Sequence, residues 1–168
     1  MAAMQKAIFA GGCFWCTEHE CRAMPGVVAV RPGYIGGHAD NPTYEQVCTG
    51  RTGHAEAIEI MFDPDRISYR DLVRLFLTEG HDPTQLNRQW VDVGTQYRSA
   101  IFYMDDAQKR EAEAVIAALE AEKRFAAPIV TTLEPAGTFW PAEAYHHDYY
   151  RKYEAAHGAP HVRVTARH

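Results

Sequence analysis

The chain lacks the features that would direct it to a membrane or to an export route. No apolar run approaches the roughly 18 residues that a membrane-spanning helix needs. The first residues, Met1–Lys6, lead directly into a short strand-like run, without the basic segment and longer apolar stretch of a secretory signal peptide. These absences predict a cytoplasmic protein that has no membrane partner.

The sequence also lacks a strong charge of one sign, internal repeats and flexible linkers. The net charge is −5 and both signs are interspersed, whereas a nucleic-acid groove requires a basic face. A chain of 168 residues is long enough for one hydrophobic core. We therefore predict a monomer with no nucleic-acid partner and a single catalytic domain over residues 1–168. Its core is expected over about residues 5–156, with a loose tail over residues 157–168.

Cysteine is scarce, and no cysteine follows residue 48. The four cysteines are Cys13, Cys16, Cys21 and Cys48. A chain without a secretory signal is not expected to carry a structural disulfide framework. The C-x-x-C spacing of Cys13 and Cys16 therefore indicates redox chemistry or metal binding.

The segment around this C-x-x-C pair carries the most information about function. A short apolar run ends at Ala10, two glycines follow, and a helix is then expected to begin at Cys13. Unpaired backbone N–H groups and the helix dipole at that position favour the thiolate over the thiol. The aromatic residues Phe14 and Trp15, between the two cysteines, predict an apolar pocket beside the sulfur.

Hydrophobic periodicity and turn residues predict the element order β-α-β-β-α-β-α-β, followed by a helical tail. Strands are expected at 6–10, 27–34, 55–62, 97–103 and 129–133, and helices at 14–24, 68–78, 105–124 and 141–156. Long polar loops are expected at 36–53 and 81–96, and such loops are often functional. The first six elements fit a split βαββαβ unit. The predicted fold class is therefore α+β, a ferredoxin-like two-layer α/β sandwich with a mixed sheet and long loops.

Five blocks of the sequence together resemble the methionine sulfoxide reductase A family. In chain order they are Gly12–Glu18, Asn41–Cys48, Thr52–Glu56, Asp92–Ser99 and Phe139–His146. The resemblance, which extends from Lys6 to about Tyr153, implies a reductase for the S epimer of methionine sulfoxide, free or in oxidised proteins. It also implies that no cofactor is bound and that an external dithiol, thioredoxin, is the reductant.

The resemblance also implies roles for individual residues. Cys13 matches the attacking cysteine, and Glu56 matches the proton donor. Phe14 and Trp15 match the pocket for the methyl group of the substrate. The polar residues that match those around the sulfoxide oxygen are Tyr44, Asp92 and Tyr97.

These residue types suit the chemistry, because a sulfoxide sulfur is attacked readily only when its oxygen is protonated or strongly hydrogen-bonded. The site needs a soft nucleophile, Cys13, and an acid, Glu56. A glutamate has an ordinary pKa of roughly 4.3, so the pKa of Glu56 must rise by about two units for it to donate a proton near pH 7. The product on the enzyme is a sulfenic acid on Cys13. The resemblance implies that Cys16 converts it into a Cys13–Cys16 disulfide, which thioredoxin reopens.

The sequence differs from the family pattern at two places, and two further cysteines need an assigned role. Residues 88–91 read RQWV where relatives commonly have RQGN, and residue 147 is histidine where glutamine is frequent. Cys21 is assigned to packing. Cys48 is also assigned to packing, with a role as an alternative resolving cysteine left open.

Two other functions stay open from the residues alone. One is a general dithiol–disulfide oxidoreductase that depends on the C-x-x-C pair. The other is a zinc-binding module that uses Cys13, Cys16, Cys48 and a histidine. The aromatic and histidine cluster at 145–150 is expected to pack and to form hydrogen bonds behind the site rather than to bind a metal.

Overall fold

The structure, a computed structural model, describes residues 3–146 except for the side chain of residue 145. The strands in this range are β1 (Gln5–Gly11), β2 (Val27–Ile35), β3 (Ala55–Phe62), β4 (Arg88–Gln89), β5 (Asp92–Val93), β6 (Ser99–Tyr103), β7 (Thr132–Pro135) and β8 (Trp140–Pro141). The α-helices are α1 (Phe14–Arg22), α2 (Tyr44–Cys48), α3 (Tyr69–Leu75) and α4 (Asp106–Ala121). A π-helical turn at Phe76–Gly80 continues α3, and 3₁₀ turns cover Thr95–Tyr97 and Ala144–His146.

Six strands form one sheet in the order β7-β6-β1-β3-β2-β8, and β4 and β5 form a separate hairpin. Strand β1 runs antiparallel to both of its neighbours, and β2 is antiparallel to β3. Only the pairing of β6 with β7 is parallel among the described strands, so the sheet is mixed. The predicted α+β class and mixed sheet are therefore confirmed.

Different elements pack against the two faces of the sheet. Ala7 and Phe9 of β1 pack into the larger core cluster, which includes the buried faces of α1, α3 and α4. Ile8 and Ala10 point to the opposite face, into a smaller cluster that contains sheet residues and Phe139 but no residue of these helices. The alternation of β1 thus places α1, α3 and α4 on one side of the sheet.

The register of the central strands decides where the site forms. Phe9 of β1 lies opposite Ile58 of β3, so the last residues of β1 and the first residues of β3 lie at the same end of these central strands. Tyr34, near the end of β2, lies opposite Glu56. Helix α1 begins directly after β1, so its amino end is placed beside Glu56.

Several predicted elements differ from the observed ones. The predicted loop 81–96 contains the hairpin β4–β5, and the strand predicted at 97–103 begins only at Ser99, after a 3₁₀ turn. The predicted loop 36–53 contains α2, whose first turn is held by a capping box between Thr43 and Gln46. The strand predicted at 129–133 begins only at Thr132. Upstream of it, the Ile129 N–H donates to the Glu120 carboxylate and the Val130 N–H donates to the Pro83 carbonyl, so neither pairs with the sheet.

The first residues of the helix predicted at 141–156 are not α-helical in the structure. Trp140–Pro141 is a short strand paired with β2, and Ala144–His146 is a 3₁₀ turn. The rest of the predicted helix and the predicted tail at 157–168 lie outside the described residues. No helix in the described range is long and apolar enough to cross a membrane.

Candidate active site

Cys13 lies immediately before the first residue of α1. Its carbonyl oxygen accepts hydrogen bonds from the backbone N–H groups of Cys16, at 3.0 Å, and Thr17, at 3.2 Å. Cys13 is not part of a disulfide, and the residue is 6% exposed. A thiol in this position, beside the positive end of the helix dipole, is favoured as the thiolate. The predicted helix-N-terminal placement of Cys13 is therefore the observed one.

Gly12 provides the sharp turn that connects β1 to this helix. Its φ is +92°, in the region where glycine is strongly favoured. A Cβ atom on Gly12 would lie 2.6 Å from Cβ of Gln89. Both the backbone conformation and the close approach of Gln89 therefore require glycine immediately before Cys13.

The structure brings Glu56 to the same helix end. Glu56 is 1% exposed, and its Oε1 accepts a hydrogen bond of 3.1 Å from the backbone N–H of Phe14. The carboxyl group therefore lies at the first helical residue after Cys13, although 42 residues separate Glu56 from Phe14 in the chain. The predicted nucleophile and the predicted acid share one buried site.

The two predicted tyrosines lie around this carboxyl group and are half-buried. Burial foremost, and then the negative charge of Glu56, raises the pKa of Tyr44 and the pKa of Tyr97 well above the ordinary tyrosine value. Asp92 and Cys13 also raise the pKa of Tyr97, so both are close to its hydroxyl. Both tyrosines are therefore neutral hydrogen-bond donors near pH 7.

An aromatic cluster covers the other side of the site. The Phe14 and Tyr44 rings stack with centroids 6.2 Å apart, and the Trp15 and Tyr44 rings stack at 6.4 Å. His146 packs against Tyr44 at 4.5 Å and accepts a 2.9 Å hydrogen bond at Nδ1 from Nε1–H of Trp15. Phe14 and Trp15 thus lie in one aromatic cluster with Tyr44 and His146, and the apolar pocket for the substrate stays a prediction.

Glu143 connects this aromatic cluster to the sheet. Its carboxylate accepts a hydrogen bond of 2.8 Å from the Tyr34 hydroxyl and one of 3.0 Å from the backbone N–H of Tyr44. The latter contact places a negative charge at the first residue of α2. Glu143 lies in the block Phe139–His146, and its carboxylate was the only sequence signal for a role that sequence patterns did not predict.

Cys13 and Cys16 open onto the same cleft. Residues that line this cleft include Cys13, Cys16, Glu20, His81, Trp90 and Asp92. The two cysteines are not joined by a disulfide in this structure, and Cys16 is partly exposed. The cleft therefore gives a second thiol access to the surroundings of Cys13.

The remaining cysteines have opposite environments. Cys21 is completely buried in the larger core cluster, and burial, together with the charge of Glu20, raises the pKa of its thiol strongly. Such a thiol is unreactive. Cys48 is exposed rather than packed in the core. Partial burial raises the pKa of its thiol, and hydrogen bonds with Tyr44 and Tyr97 lower that pKa. Because Cys48 interacts with both tyrosines, it borders the site.

A metal centre was the alternative for these cysteines and histidines. Within residues 3–146, no three or more histidine, cysteine, aspartate or glutamate side chains form a group that could hold a metal ion.

Comparisons with known proteins agree with this arrangement. Residues 5–167 match the family described as peptide methionine sulfoxide reductase. Peptide methionine sulfoxide reductase MsrA of Deinococcus radiodurans is 56% identical over 150 residues, which cover 89% of this chain and 72% of the relative.

Two solved structures of Mxr1 from Saccharomyces cerevisiae share the fold. The reduced form aligns with a TM-score of 0.84 and 32% identity, over 97% of this chain and 91% of that one. The complex of Mxr1 with Trx2 aligns with a TM-score of 0.61 and 24% identity, over 88% and 85% of the two chains. With these matches and its buried cysteine–glutamate site, this chain belongs to the peptide methionine sulfoxide reductase family.

Proposed function

We propose that this chain reduces methionine sulfoxide, free or in oxidised proteins, to methionine. The observation that carries the proposal is the hydrogen bond from Phe14 N–H to Oε1 of Glu56, which holds a buried acid beside Cys13. A thiol nucleophile and an acid that meet in a site largely closed to water are what sulfoxide reduction requires. The substrate is the S epimer at sulfur.

The first step transfers the sulfoxide oxygen to Cys13. The methyl group of the substrate occupies the pocket of Phe14 and Trp15, and the oxygen faces Glu56 and the hydroxyls of Tyr44 and Tyr97. Glu56 gives its proton to the oxygen as the Cys13 thiolate attacks. The sulfur–oxygen bond of the substrate breaks, methionine leaves with an unoxidised sulfur, and Cys13 becomes a sulfenic acid.

The two tyrosines complement the acid because they add no charge. Their raised pKa values keep both hydroxyls protonated, so they can donate to the oxygen as negative charge develops on it. Asp92 lies near Tyr97 and orients its hydroxyl or a water molecule. The proton itself comes from Glu56.

The second step removes the sulfenic acid. The Cys16 thiol, in the same cleft as Cys13, attacks the Cys13 sulfur, and the hydroxyl of the sulfenic acid leaves as water with the Cys16 proton. A Cys13–Cys16 disulfide results. An external dithiol reopens it by thiol–disulfide exchange and becomes a disulfide itself.

Thioredoxin is the dithiol we propose for this step. Mxr1, whose reduced form aligns with this chain at 32% identity, has been solved in complex with Trx2. The proposal also includes a monomer that acts as one catalytic domain in the cytoplasm, where thiols are kept reduced, without a bound cofactor and without a membrane or nucleic-acid partner.

A single-turnover assay with each pure sulfoxide epimer tests the proposed function. One methionine per enzyme is expected from the S epimer and none from the R epimer, and mass spectrometry is expected to find Cys13 joined to Cys16. The Cys13→Ser variant is expected to form no methionine. Reduction of insulin disulfides without reduction of methionine sulfoxide would instead identify a general dithiol–disulfide oxidoreductase.

A further inference from the structure

The cleft that Cys13 and Cys16 share has room for about one water molecule. Its volume is about 20 Å³, and about 10–15 Å³ is enough to hold a water molecule beside polar partners. The described residues that line it include neither Glu56 nor Tyr44, so it is distinct from the place proposed for the sulfoxide oxygen. The cleft therefore suits the second step, in which water leaves the Cys13 sulfur.

The second step of the proposed function requires the transfer of one proton. The Cys16 thiol must lose its proton as the sulfur attacks, and the hydroxyl of the Cys13 sulfenic acid must gain one to leave as water. An ordinary cysteine thiol, with a pKa of roughly 8.5, is only about 3% ionised at pH 7. A base in the cleft that takes the thiol proton therefore accelerates the attack.

Glu20 lies where such a base is needed. It follows Cys16 by four residues on α1, and residues four apart lie on the same face of a helix with their Cβ atoms about 5–6 Å apart. A helical side chain leans toward the amino end of its helix, so the Glu20 side chain leans toward the turn that carries Cys16. Both residues line the cleft, and Glu20 is partly buried.

Two other polar side chains of the cleft are occupied by hydrogen bonds elsewhere. One ring nitrogen of His81 bonds with the Phe76 carbonyl and the other with the Ser99 hydroxyl. Burial also lowers the pKa of His81 to about 4 and keeps its ring neutral at pH 7. The Gln89 amide accepts from the backbone N–H of Asp82 and donates to the carbonyl of the same residue. Neither side chain can therefore take the thiol proton.

The remaining titratable groups at the cleft have other roles. Cys13 carries the sulfenic acid at this stage. Asp92 lines the cleft, but its charge acts on Tyr97, whose hydroxyl is assigned to the sulfoxide oxygen. Cys21 interacts electrostatically with Glu20, and burial raises its pKa so strongly that it stays a thiol. Glu20 is therefore the carboxylate of the cleft that is placed to serve Cys16.

We propose that Glu20 transfers the proton in the second step. It accepts the proton of the Cys16 thiol as that sulfur attacks Cys13, and it gives this proton to the departing hydroxyl, which leaves as water. Cys16 supplies the electron pair of the new sulfur–sulfur bond, the oxygen leaves with the pair of the broken sulfur–oxygen bond, and Glu20 returns to its original charge. The inference depends on the proposed function, because the first step of that function produces the sulfenic acid.

The test follows both steps in one turnover without a reductant. Enzyme is mixed with methionine-S-sulfoxide and quenched with acid at intervals. Chromatography then measures methionine, and mass spectrometry of the quenched enzyme measures the sulfenic acid and the Cys13–Cys16 disulfide separately. In Glu20→Gln, methionine should form at the wild-type rate, but the sulfenic acid should convert to the disulfide about 30-fold more slowly at pH 7, because only the ionised fraction of an ordinary thiol then attacks.

The pH profile separates proton transfer from a structural role. Between pH 6 and about 7.5, disulfide formation in Glu20→Gln should accelerate by nearly tenfold per pH unit, as an unassisted thiol ionises. The wild-type rate should change little, because a carboxylate base is ionised throughout this range. Glu113→Gln removes the same charge from an exposed position of α4 and should keep both wild-type rates. Thermal unfolding of each variant shows whether the fold is retained.

Equal conversion of sulfenic acid to disulfide in Glu20→Gln and in the wild type, at pH 6 as well as at pH 7, would overturn the inference. A slower conversion without the steeper pH profile, or an equal loss of methionine formation, would also overturn it, since Glu20 would then support the site structurally. A wild-type chain that forms no methionine would instead contradict the proposed function, so the two failures are distinguishable.

Discussion

The backbone N–H of Phe14 and the Oε1 atom of Glu56 are 3.1 Å apart, and this bond defines the geometry of the site. It ties the first helical residue after Cys13 to a carboxyl group on the neighbouring strand β3. Burial disfavours a charge on Glu56, whereas the helix end and its N–H favour one. The balance between them controls whether Glu56 holds a transferable proton.

Replacement of Glu56 by glutamine separates its acid from its structural role. The glutamine carbonyl can still accept the bond from Phe14, but the side chain has no proton of suitable acidity to give to a sulfoxide oxygen. We expect the single-turnover rate of methionine formation to fall by about 10²-fold or more, with little change in the melting temperature.

The control for this change is Glu59→Gln. Glu59 lies on the same strand and forms a surface ion pair with Arg31 at 2.8 Å, so its variant should react at the wild-type rate. A near-normal single-turnover rate in Glu56→Gln would assign the proton to another group.

The Cys16→Ser variant tests the second step. Without the Cys16 thiol, one methionine per enzyme should still form, but turnover driven by thioredoxin should stop because no disulfide closes. The measurement compares the methionine released in the first turnover with the steady-state rate.

Cys48→Ser is the companion variant for this experiment. Cys48 borders the site through the hydroxyls of Tyr44 and Tyr97, and serine preserves a hydrogen-bonding group there. Recycling should persist in Cys48→Ser. If recycling instead persisted in Cys16→Ser and vanished in Cys48→Ser, Cys48 would be the resolving cysteine.

Glu143→Gln should loosen Tyr44 and remove a pH dependence that the Glu143 carboxylate gives to the stability of the wild type. Burial by itself would raise the pKa of Glu143, but the bonds from Tyr44 N–H and the Tyr34 hydroxyl outweigh it and hold that pKa below its ordinary 4.5. The carboxylate therefore stabilises the fold fully above pH 4.5, and this contribution is lost as the pH falls through the lower folded-state pKa.

Thermal unfolding of the wild type and of Glu143→Gln should therefore differ at pH 7 and converge only as the pH falls through the lowered folded-state pKa of Glu143. We also expect kcat/KM for methionine sulfoxide to fall about tenfold at pH 7, since bonds to a charged acceptor are worth about 1.5–3 kcal/mol. Glu122→Gln removes the same charge from an exposed pair with Arg74 and should change neither quantity appreciably. Equal melting temperatures of wild type and Glu143→Gln at pH 7 would refute the role of Glu143.

His81 predicts a second pH dependence at higher pH. Its imidazole is neutral and buried, with Nδ1–H donating to the Phe76 carbonyl at 3.1 Å and Nε2 accepting from Ser99 at 2.6 Å. Burial is the main cause that lowers the pKa of His81 from 6.5 to about 4. As the pH falls from 6.5 to 4, His81 is protonated in the unfolded chain but stays neutral in the folded chain. The free energy of unfolding therefore decreases by roughly 3 kcal/mol.

The measurement is the free energy of unfolding in urea at several pH values between 7.5 and 4. The His81→Gln variant should have a flatter dependence on pH over this range, because the titrating group is gone. His19→Gln, at an exposed position of α1, should retain the wild-type slope. Identical slopes in His81→Gln and the wild type would refute this assignment.

The hydrophobic pattern predicted a helix or strand well wherever that element packs one of its faces against the core. The alternating residues of Ala55–Phe62 predicted β3 at its observed bounds. Helix α2 was missed because its five residues lie among turn-forming residues, although the Thr43 and Gln46 capping box was a readable signal. The start of β7 was misplaced because backbone bonds to Glu120 and Pro83, which sequence pattern does not reveal, divert residues 129 and 130.

The candidate site was predicted to the extent that its residues lie in motifs. Cys13, Glu56, Tyr44 and Tyr97 come from separate motifs and lie near one another in the structure, and their catalytic roles stay predictions. The contact of Glu143 with Tyr44 joins residues 99 positions apart, and no periodicity or spacing encodes such a pairing.

The hydrogen bond between Trp15 and His146 spans 131 positions of the chain, and this has a consequence for biosynthesis. During translation Trp15 leaves the ribosome long before His146 does. This contact can therefore form only after almost the whole described part of the chain has been synthesised.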